Sequence, residues 1–249
     1  MPAARSSWLR PGLVATLGTK ERQVTGPVLI AGASRGTGLE VARLLERRGE
    51  AVTALVRPMA SMAGILQLRV RLFRGDVLDA RSVQGAFASG NFRAVIVTVG
   101  GKRGEPRPDY HGTRNLVDAA LEAGVRRFIL VTAIGAGDSR GAVGPRVLEF
   151  LGPVLEEKTL GENYLMASGL DYTILRPGGM THDAASGTAI RTEDRSAMGV
   201  INRADLARLV VDCLDDVLSI GKVFHTIDPA IQRPAPLQRG ENLPGGPVR

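Results

Sequence analysis

A glycine-rich turn between an apolar run and an amphipathic segment constrains the fold more than any other feature. The run PVLIAGA, residues 27–33, leads through Gly32-Ala-Ser-Arg-Gly36-Thr-Gly38 into the helical pattern TGLEVARLLERRG, residues 37–49. Glycine lets the backbone turn sharply from a strand into a helix and leaves the amide groups at the helix start exposed. A strand, a turn and a helix in this order are the first half of a crossover unit.

The same alternation continues along most of the chain. Further strand-like runs lie at residues 51–57, 69–77, 94–101, 127–135, 171–179 and 222–228, separated by helical patterns that include a long helix containing residues 153–165. The pattern predicts one α/β domain, residues 27–228, built on a parallel sheet. Right-handed crossovers bring the carboxyl ends of the strands to one edge of such a sheet, where ligands bind.

The two ends of the chain have little to pack. Residues 1–26 are predicted to be a flexible N-terminal extension, and residues 229–249, rich in proline and glycine, a flexible C-terminal tail. The extension has no acidic residue before Glu21, so organellar targeting is an alternative to a plain extension. The chain contains no run of 18 apolar residues, which predicts no membrane span.

Composition narrows the class further. The single cysteine, Cys213, excludes an intrachain disulfide, lies in an apolar helical pattern, and favours a reducing, cytoplasmic location. The net charge is +7, but no run of five like charges occurs, so we expect solvated helix faces and no nucleic-acid partner. We expect a small-molecule substrate and no metal site. Nothing in the sequence indicates an oligomeric state.

The glycine turn predicts a dinucleotide site, because its backbone can approach a pyrophosphate and its helix start can hold the phosphate oxygens. A tight turn without a ligand is the alternative. The predicted contacts from this turn are Gly32, Ser34, Arg35, Gly36, Thr37 and Gly38.

Charge indicates which dinucleotide binds. The second strand ends in Arg57 rather than in the Asp or Glu that accepts from the ribose of NAD, and Arg35 lies inside the glycine turn. Two guanidinium groups suit a 2′-phosphate, which favours NADP(H), although either arginine alone could face solvent. After the third strand, Asp76 is either an acceptor for the adenine amino group, with Val77 against the ring, or a helix N-terminal residue.

The chain resembles the atypical short-chain dehydrogenase/reductases, in particular their NmrA-like and biliverdin-reductase-B-like branch. The resemblance extends over residues 27–228 and is carried by GASRGTG, LVRP, FRGDVLD, VIVTVGG, DYHGTRNLVDAALEAGVRRFILVTAIGA, KTLGENYLMASGLDYTILRPGG and INRADLARLVVDCL. It implies a Rossmann-like, doubly wound parallel sheet with the dinucleotide at its carboxyl edge. It also implies cofactor contacts at Val99, Gly100 and Pro177, and a substrate beneath a loop at about residues 178–200.

The resemblance includes a catalytic set that is incomplete here. Standard members of the wider family use a Ser, a Tyr that donates a proton, and a Lys that holds the nicotinamide ribose. Thr132 matches the serine and Lys158 the lysine, and both are expected to contact the cofactor, but Val154 stands where the tyrosine is expected. Val154 cannot donate a proton, whereas hydride transfer from the cofactor needs no tyrosine.

Other residues are candidates for the missing acid. His182, in the loop expected to cover the substrate, is the preferred substitute, and Tyr110 and His111 are further candidates at the start of a helix. Tyr164 lies six residues after Lys158 and should point away from it. Glu162, one turn after Lys158, is expected to pair either with Lys158 or with the RPGG turn.

These observations predict an NADPH-dependent oxidoreductase that acts on a small organic acceptor such as a quinone, a flavin or a carbonyl compound. Two alternatives stay open at this point. One is a non-catalytic NADP(H)-binding regulator or assembly factor, and the other is an isomerase or lyase that retains its cofactor.

Overall fold

The computed structural model of the protein describes residues 26–101 and 105–231. In these ranges one sheet has the strand order β3-β2-β1-β4-β5-β6-β10-β8. Its strands are β1 (Val28–Ala31), β2 (Val52–Val56), β3 (Arg71–Arg74), β4 (Ala94–Val97), β5 (Arg127–Val131), β6 (Asp171–Pro177), β8 (Ile190–Thr192) and β10 (Lys222–Ile227). All neighbours pair in parallel except β8, which is antiparallel to β10. The predicted parallel, Rossmann-like sheet is therefore confirmed.

Helices cover both faces of the sheet. They are α1 (Gly36–Arg47), α2 (Ala80–Ala88), α3 (His111–Glu122), α4 (Pro145–Ala167) and α5 (Arg203–Asp215). Helices α1 and α5 pack on one face through residues such as Leu45 and Val210, and α2, α3 and α4 on the other through residues such as Phe87, Leu116 and Leu165. Because both faces are covered, β1 and β4 are apolar along their whole length, and β2 is apolar except for the buried Thr53.

Local signals at the first crossover agree with the structure. The helix α1 ends at Arg47, and Gly49 has a φ of +74°, the left-handed conformation expected after a helix C-terminus. Cys213 is buried on α5, and this burial raises the pKa of its thiol, as expected for an inert packing residue. No helix within the described ranges is long and apolar enough to cross a membrane.

The region after β6 differs from the predicted loop at residues 178–200. It contains β7 (Gly179–Thr181) and β8, and it leads into β9 (Val200–Asn202), which pairs in parallel with β7. Hydrogen bonds from Ser186 to Asp205 and Asp228 tie the middle of this segment to α5 and to the end of β10. Such short strands depend on distant pairing partners and carry no periodicity of their own, so the sequence pattern does not reveal them.

The predicted extension at residues 1–26 and tail at residues 229–249 lie almost entirely outside the described residues. Both stay predictions, as does organellar targeting by the extension.

Candidate active site

A cavity of about 540 Å³ opens where the parallel strands end. It is lined by residues that directly follow β1, β2, β3, β4 and β5, together with residues from α4, from β7 and from the start of α5. This is the edge at which doubly wound sheets bind their ligands, so the position agrees with the sequence expectation.

The three glycines of the first turn have different structural roles. Gly36 opens α1 with a φ of +56° and lines the cavity, as Gly32 does, with a φ of +94°. A Cβ atom on Gly38 would lie 2.4 Å from the carbonyl oxygen of Gly32, so Gly38 permits close packing of the helix and does not line the cavity. Ser34, Arg35 and Thr37 line the cavity as predicted.

The N-terminus of α1 carries no side-chain cap in the described structure. Arg35 occupies the capping position with an extended backbone, and its side chain accepts no hydrogen bond from the helix. The first amide groups of α1 therefore stay available to an anion at the cavity floor, and the helix dipole favours negative charge there.

Two exposed arginines, both predicted to hold the 2′-phosphate, lie at the entrance of the cavity. Arg35 and Arg57 both line the cavity, and no acidic residue follows β2 at that point. Arg57 Nη1 lies 2.9 Å from Glu105 Oε2. Because both partners are well exposed, this ion pair is weak, and a phosphate can compete with Glu105 for Arg57.

Asp76 faces the cavity rather than capping a helix. One of its carboxylate oxygens accepts from Leu78 N at 3.0 Å. Helix α2 is capped by Asp79, whose pKa is lowered by hydrogen bonds from Ser82 and from Arg81 N. Asp76 is therefore not the N-cap of α2, and its contact with the adenine amino group stays a prediction. Val77, which is buried, lines the cavity beside Asp76, and Val99 and Gly100 line it after β4.

Lys158 and Val154 share one wall of the cavity, one turn apart on α4. Lys158 Nζ lies 2.7 Å from Asp109 Oδ1, and Arg107 Nη2 lies 3.2 Å from the other oxygen of Asp109. Asp109 is buried, yet neither of its oxygens accepts a well-aligned hydrogen bond within the described residues. The carboxylate therefore acts as a counter-charge that fixes where the ammonium group sits.

Sequence reasoning missed Asp109. It immediately precedes Tyr110 at the start of α3, a position where an acidic residue usually signals only a helix N-terminus. One sequence feature points to Asp109: it follows β4, on the same edge of the sheet as Lys158. A buried acid at that edge requires a cation as its partner.

Glu162 pairs with Arg176 of the RPGG turn, so pairing with Lys158 was the wrong alternative. Glu162 Oε2 lies 2.7 Å from Arg176 Nη2, and both side chains are buried. Burial opposes the charge on Arg176, but hydrogen bonds with Glu162 and Asp138 raise the pKa of the guanidinium above its ordinary value.

This ion pair determines what Thr132 can do. The Thr132 hydroxyl donates to Glu162 Oε1 at 2.6 Å, since a carboxylate paired with arginine only accepts. Thr132 lines the cavity. With its one proton directed at Glu162, its oxygen can accept a hydrogen bond from a ligand but cannot donate one to a carbonyl oxygen. The standard role of the serine is therefore closed to Thr132.

The remaining candidates separate clearly. His182 lines the cavity on its exposed side, whereas Tyr110 and His111 lie outside the lining. Tyr164 donates to Asp118 at 2.6 Å and points away from Lys158, as expected. Pro177, predicted as a cofactor contact, is buried at the end of β6 beside Thr226 of β10 and does not line the cavity.

The lining as a whole is positively charged. Five cationic side chains face two carboxylates, and the sequence pattern predicts no role for two of the cations, Arg107 and Arg203. The charged side chains of the lining are Arg35, Arg57, Arg107, Lys158, Arg203, Asp76 and Asp109. A cavity with this balance attracts an anionic ligand such as a dinucleotide.

Comparison with known proteins identifies the family. A family model described as NAD(P)H-binding matches residues 32–217, which include the glycine turn, the cavity and α5. This chain belongs to that family. Its fold and its relatives also support the resemblance to atypical short-chain dehydrogenase/reductases.

Three similar proteins show the range of the family. The solved structure of ChuY, an anaerobilin reductase from Escherichia coli O157:H7, is 34% identical, with a TM-score of 0.76 over 84% of this chain and 100% of that chain. An uncharacterised chloroplast protein of Arabidopsis thaliana is 32% identical over 82% of this chain and 77% of its own length. The chloroplast protein TIC 62 of Pisum sativum is also 32% identical, over 87% of this chain but 45% of its own length.

The relatives therefore include a reductase and support a nicotinamide cofactor for this family member. Because two of them are chloroplast proteins, a cytoplasmic location stays a prediction.

Proposed function

We propose that the protein is an NADPH-dependent reductase of a flat, conjugated organic acceptor, of the quinone or flavin kind, rather than of simple ketones. The observation that carries this proposal is the wall formed by Val154 and Lys158. It retains the cation for the nicotinamide ribose and replaces the proton donor with an apolar side chain. When bound, the cofactor supplies the hydride.

Proton supply separates the two kinds of acceptor. Reduction of a ketone needs an acid at the carbonyl oxygen, and such an acid contributes about 100- to 10,000-fold to the rate. Val154 has no proton, and the proton of Thr132 is directed at Glu162. A reduced quinone or flavin takes its protons from water, so this loss affects its reduction less.

The mouth of the cavity suits a flat apolar molecule. Leu151 and Met180 line it and are 47% and 42% exposed, which leaves apolar surface for an acceptor to cover. Phe150, 73% exposed, is the neighbour of Leu151 on α4. Exposed apolar surface of this kind beside a polar cleft commonly marks a ligand site.

The choice of NADPH is supported by Arg35 and Arg57 at the entrance and by the absence of an acid after β2. The reductase relative supports the reaction class, and the substrate in its name adds anaerobilin to the acceptors worth testing.

A panel of acceptors tests the proposal. Oxidation of NADPH is followed by absorbance with quinones, flavins, anaerobilin and simple ketones at equal concentration. The missing acid contributes about 100-fold or more, and we expect conjugated acceptors to exceed ketones by at least about tenfold. Brisk ketone reduction with a single-acid pH profile would instead mean that another residue, such as His182, donates the proton.

The second candidate is an NADP(H)-binding regulator without turnover. The same wall favours it, since a cofactor site that lacks its acid can serve binding alone. Tight NADPH binding with no oxidation by any acceptor would replace the reductase proposal with this one.

A further inference from the structure

Arg203 opens α5 and reaches over the glycine turn. Its Nε and Cδ atoms lie 3.5 Å and 3.7 Å from the position that a Cβ atom on Gly36 would occupy. Arg203 and Gly36 line the same cavity. The guanidinium group therefore stands beside the uncapped N-terminus of α1.

The same side chain also holds β7. Arg203 Nη1 donates to the carbonyl oxygen of Thr181 at 3.0 Å. Next to it, the Thr37 hydroxyl meets Met180 Sδ at 3.9 Å. Thr37 thus attaches Met180 to the glycine turn, and Arg203 attaches Thr181 to the start of α5.

Arg203 differs from the neighbouring arginines in having no acidic partner. Arg191, Arg195 and Arg208 each form an ion pair with an aspartate. Arg203 forms none within the described ranges of the chain, although it is half-buried. A guanidinium group has five N–H donors, and the bond to Thr181 uses one of them.

Two unsatisfied sets of donors therefore face the same space. The amide groups at the start of α1 point at the cavity floor, and the remaining N–H groups of Arg203 approach it from α5. A phosphate oxygen between them would satisfy both, because guanidinium and helix N-termini are the common protein donors to phosphate.

We infer that Arg203 binds the pyrophosphate of the dinucleotide and, through its bond to Thr181, fastens β7 to the bound cofactor. This inference rests on the cofactor of the proposed function, and it extends that function to the anchoring of β7. The bound cofactor stabilises residues 179–182, which include Met180 and His182 of the cavity lining.

The first test separates the pyrophosphate from the 2′-phosphate. Binding of NADPH and of NADH is measured by calorimetry for the wild type and Arg203→Met. We expect both affinities to fall by a similar factor, at least about tenfold, because the pyrophosphate is common to both cofactors. The melting temperature without cofactor reports whether the variant is folded.

Arg208→Met is the matched control. Arg208 also lies on α5 and donates to a carbonyl of the same segment, that of Ala189 at 2.9 Å, but it does not line the cavity. We expect its cofactor affinities to stay within about twofold of wild type, well below the tenfold change expected for Arg203→Met.

The second test addresses β7. Hydrogen exchange at residues 179–183 is compared with and without saturating NADPH. We expect NADPH to slow this exchange in the wild type and in Arg208→Met but not in Arg203→Met. Arg203→Lys keeps the charge, so its cofactor affinity should be higher than that of Arg203→Met. NADPH should nevertheless fail to slow exchange at residues 179–183 in Arg203→Lys.

Three results would overturn the inference. They are unchanged affinities in Arg203→Met, a loss confined to NADPH, which would assign Arg203 to the 2′-phosphate, and full protection of residues 179–183 in Arg203→Met. None of these measurements depends on turnover. A wild type that binds NADPH but reduces nothing would therefore count against the proposed reductase alone.

Discussion

At the scale of single residues, buried acids already occupy the donors that match the standard catalytic set. The Thr132 hydroxyl donates a hydrogen bond to Glu162, and Lys158 Nζ lies 2.7 Å from Asp109 Oδ1. Two residues that match the standard catalytic set are therefore fixed by buried acids. Val154 occupies the position of the third member, the tyrosine, so a substitution that restores a tyrosine there is informative.

Replacing Val154 with tyrosine tests this directly. Val154→Tyr would place a phenol one turn before Lys158 on the same face of α4, where it can donate to a carbonyl oxygen. We expect ketone reduction to rise at least about tenfold while quinone reduction changes little. The measurement is the ratio of the two rates across about pH 6 to 9, which spans histidine and perturbed tyrosine. Equal changes in both rates would indicate an effect on binding rather than on proton transfer.

The entrance to the cavity offers a second residue-scale prediction. Arg57→Ala should weaken NADPH relative to NADH by about tenfold, or about 1.4 kcal/mol, because it removes a donor to the 2′-phosphate. Glu105→Gln should act in the opposite direction, since it removes the carboxylate now paired with Arg57. Titration of both cofactors with both variants checks this. An unchanged ratio in Arg57→Ala would refute the 2′-phosphate assignment.

At the scale of elements, α4 is attached to β6 by a buried ion pair. Glu162 of α4 and Arg176 of β6 are almost completely buried, and Arg176 also contacts Asp138 and thereby the 3₁₀ turn Gly137–Ala142. The position of Thr132, and through α4 that of Lys158, depends on this attachment. Gly137 packs so closely on the pair that a Cβ atom there would lie 2.2 Å from Arg176 Nη2.

Breaking this pair should be costly. Arg176→Met leaves Glu162 buried without its cation, and we expect the free energy of unfolding to fall by about 3–5 kcal/mol. The double variant Glu162→Leu with Arg176→Met should lose less than the single variant, because no charge is left uncompensated. Urea unfolding without cofactor measures both. Arg126→Met, which breaks the exposed pair with Asp171, is the control and should cost less than about 1 kcal/mol.

The sequence predicts the elements with strong local signals and misses those fixed by distant contacts. The runs that form β1, β2, β4 and β5 are recognisable in the sequence, because a strand buried on both faces consists mostly of apolar residues. The strand β7 pairs with β9 beside a close approach of Gly178 to Gly199, where a Cβ atom on Gly178 would lie 2.2 Å from the Gly199 oxygen. The pairing of Asp109 with Lys158 and the reach of Arg203 likewise depend on the folded arrangement.

At the scale of the whole molecule, one buried histidine links stability to pH. His225 lies on β10, is fully buried, and has its Nδ1 2.9 Å from the carbonyl oxygen of Ala197. Burial lowers the pKa of His225, and the nearby Arg176 and Arg195 lower it further, against the opposing effects of Ala197 and Asp138. The folded protein therefore holds this imidazole neutral at pH values where the unfolded chain would bind a proton.

The sign of the pH effect follows from that difference. Above about pH 6.5, the ordinary value, neither state is protonated and the stability is fully present. As the pH falls from there towards the folded pKa, the unfolded chain gains a proton and stability is lost, by at most about 1.4 kcal/mol per pH unit. Unfolding curves between about pH 5 and 7 should show this slope in the wild type and in the exposed control His182→Gln. His225→Gln should flatten the slope of stability against pH. An unchanged slope in this variant would mean that other titratable groups cause the pH dependence.

The place of β10 in the sheet has a consequence for synthesis of the protein. Among the described residues β10 is the last strand in sequence order, yet it lies inside the sheet, between β6 and β8. A nascent chain that has already emerged as far as β8 therefore carries two open strand edges until residues 222–227 arrive. Open edges are templates for pairing with other chains. During translation, the interval between β8 and β10 is therefore a time at which these edges are open to pairing with other chains.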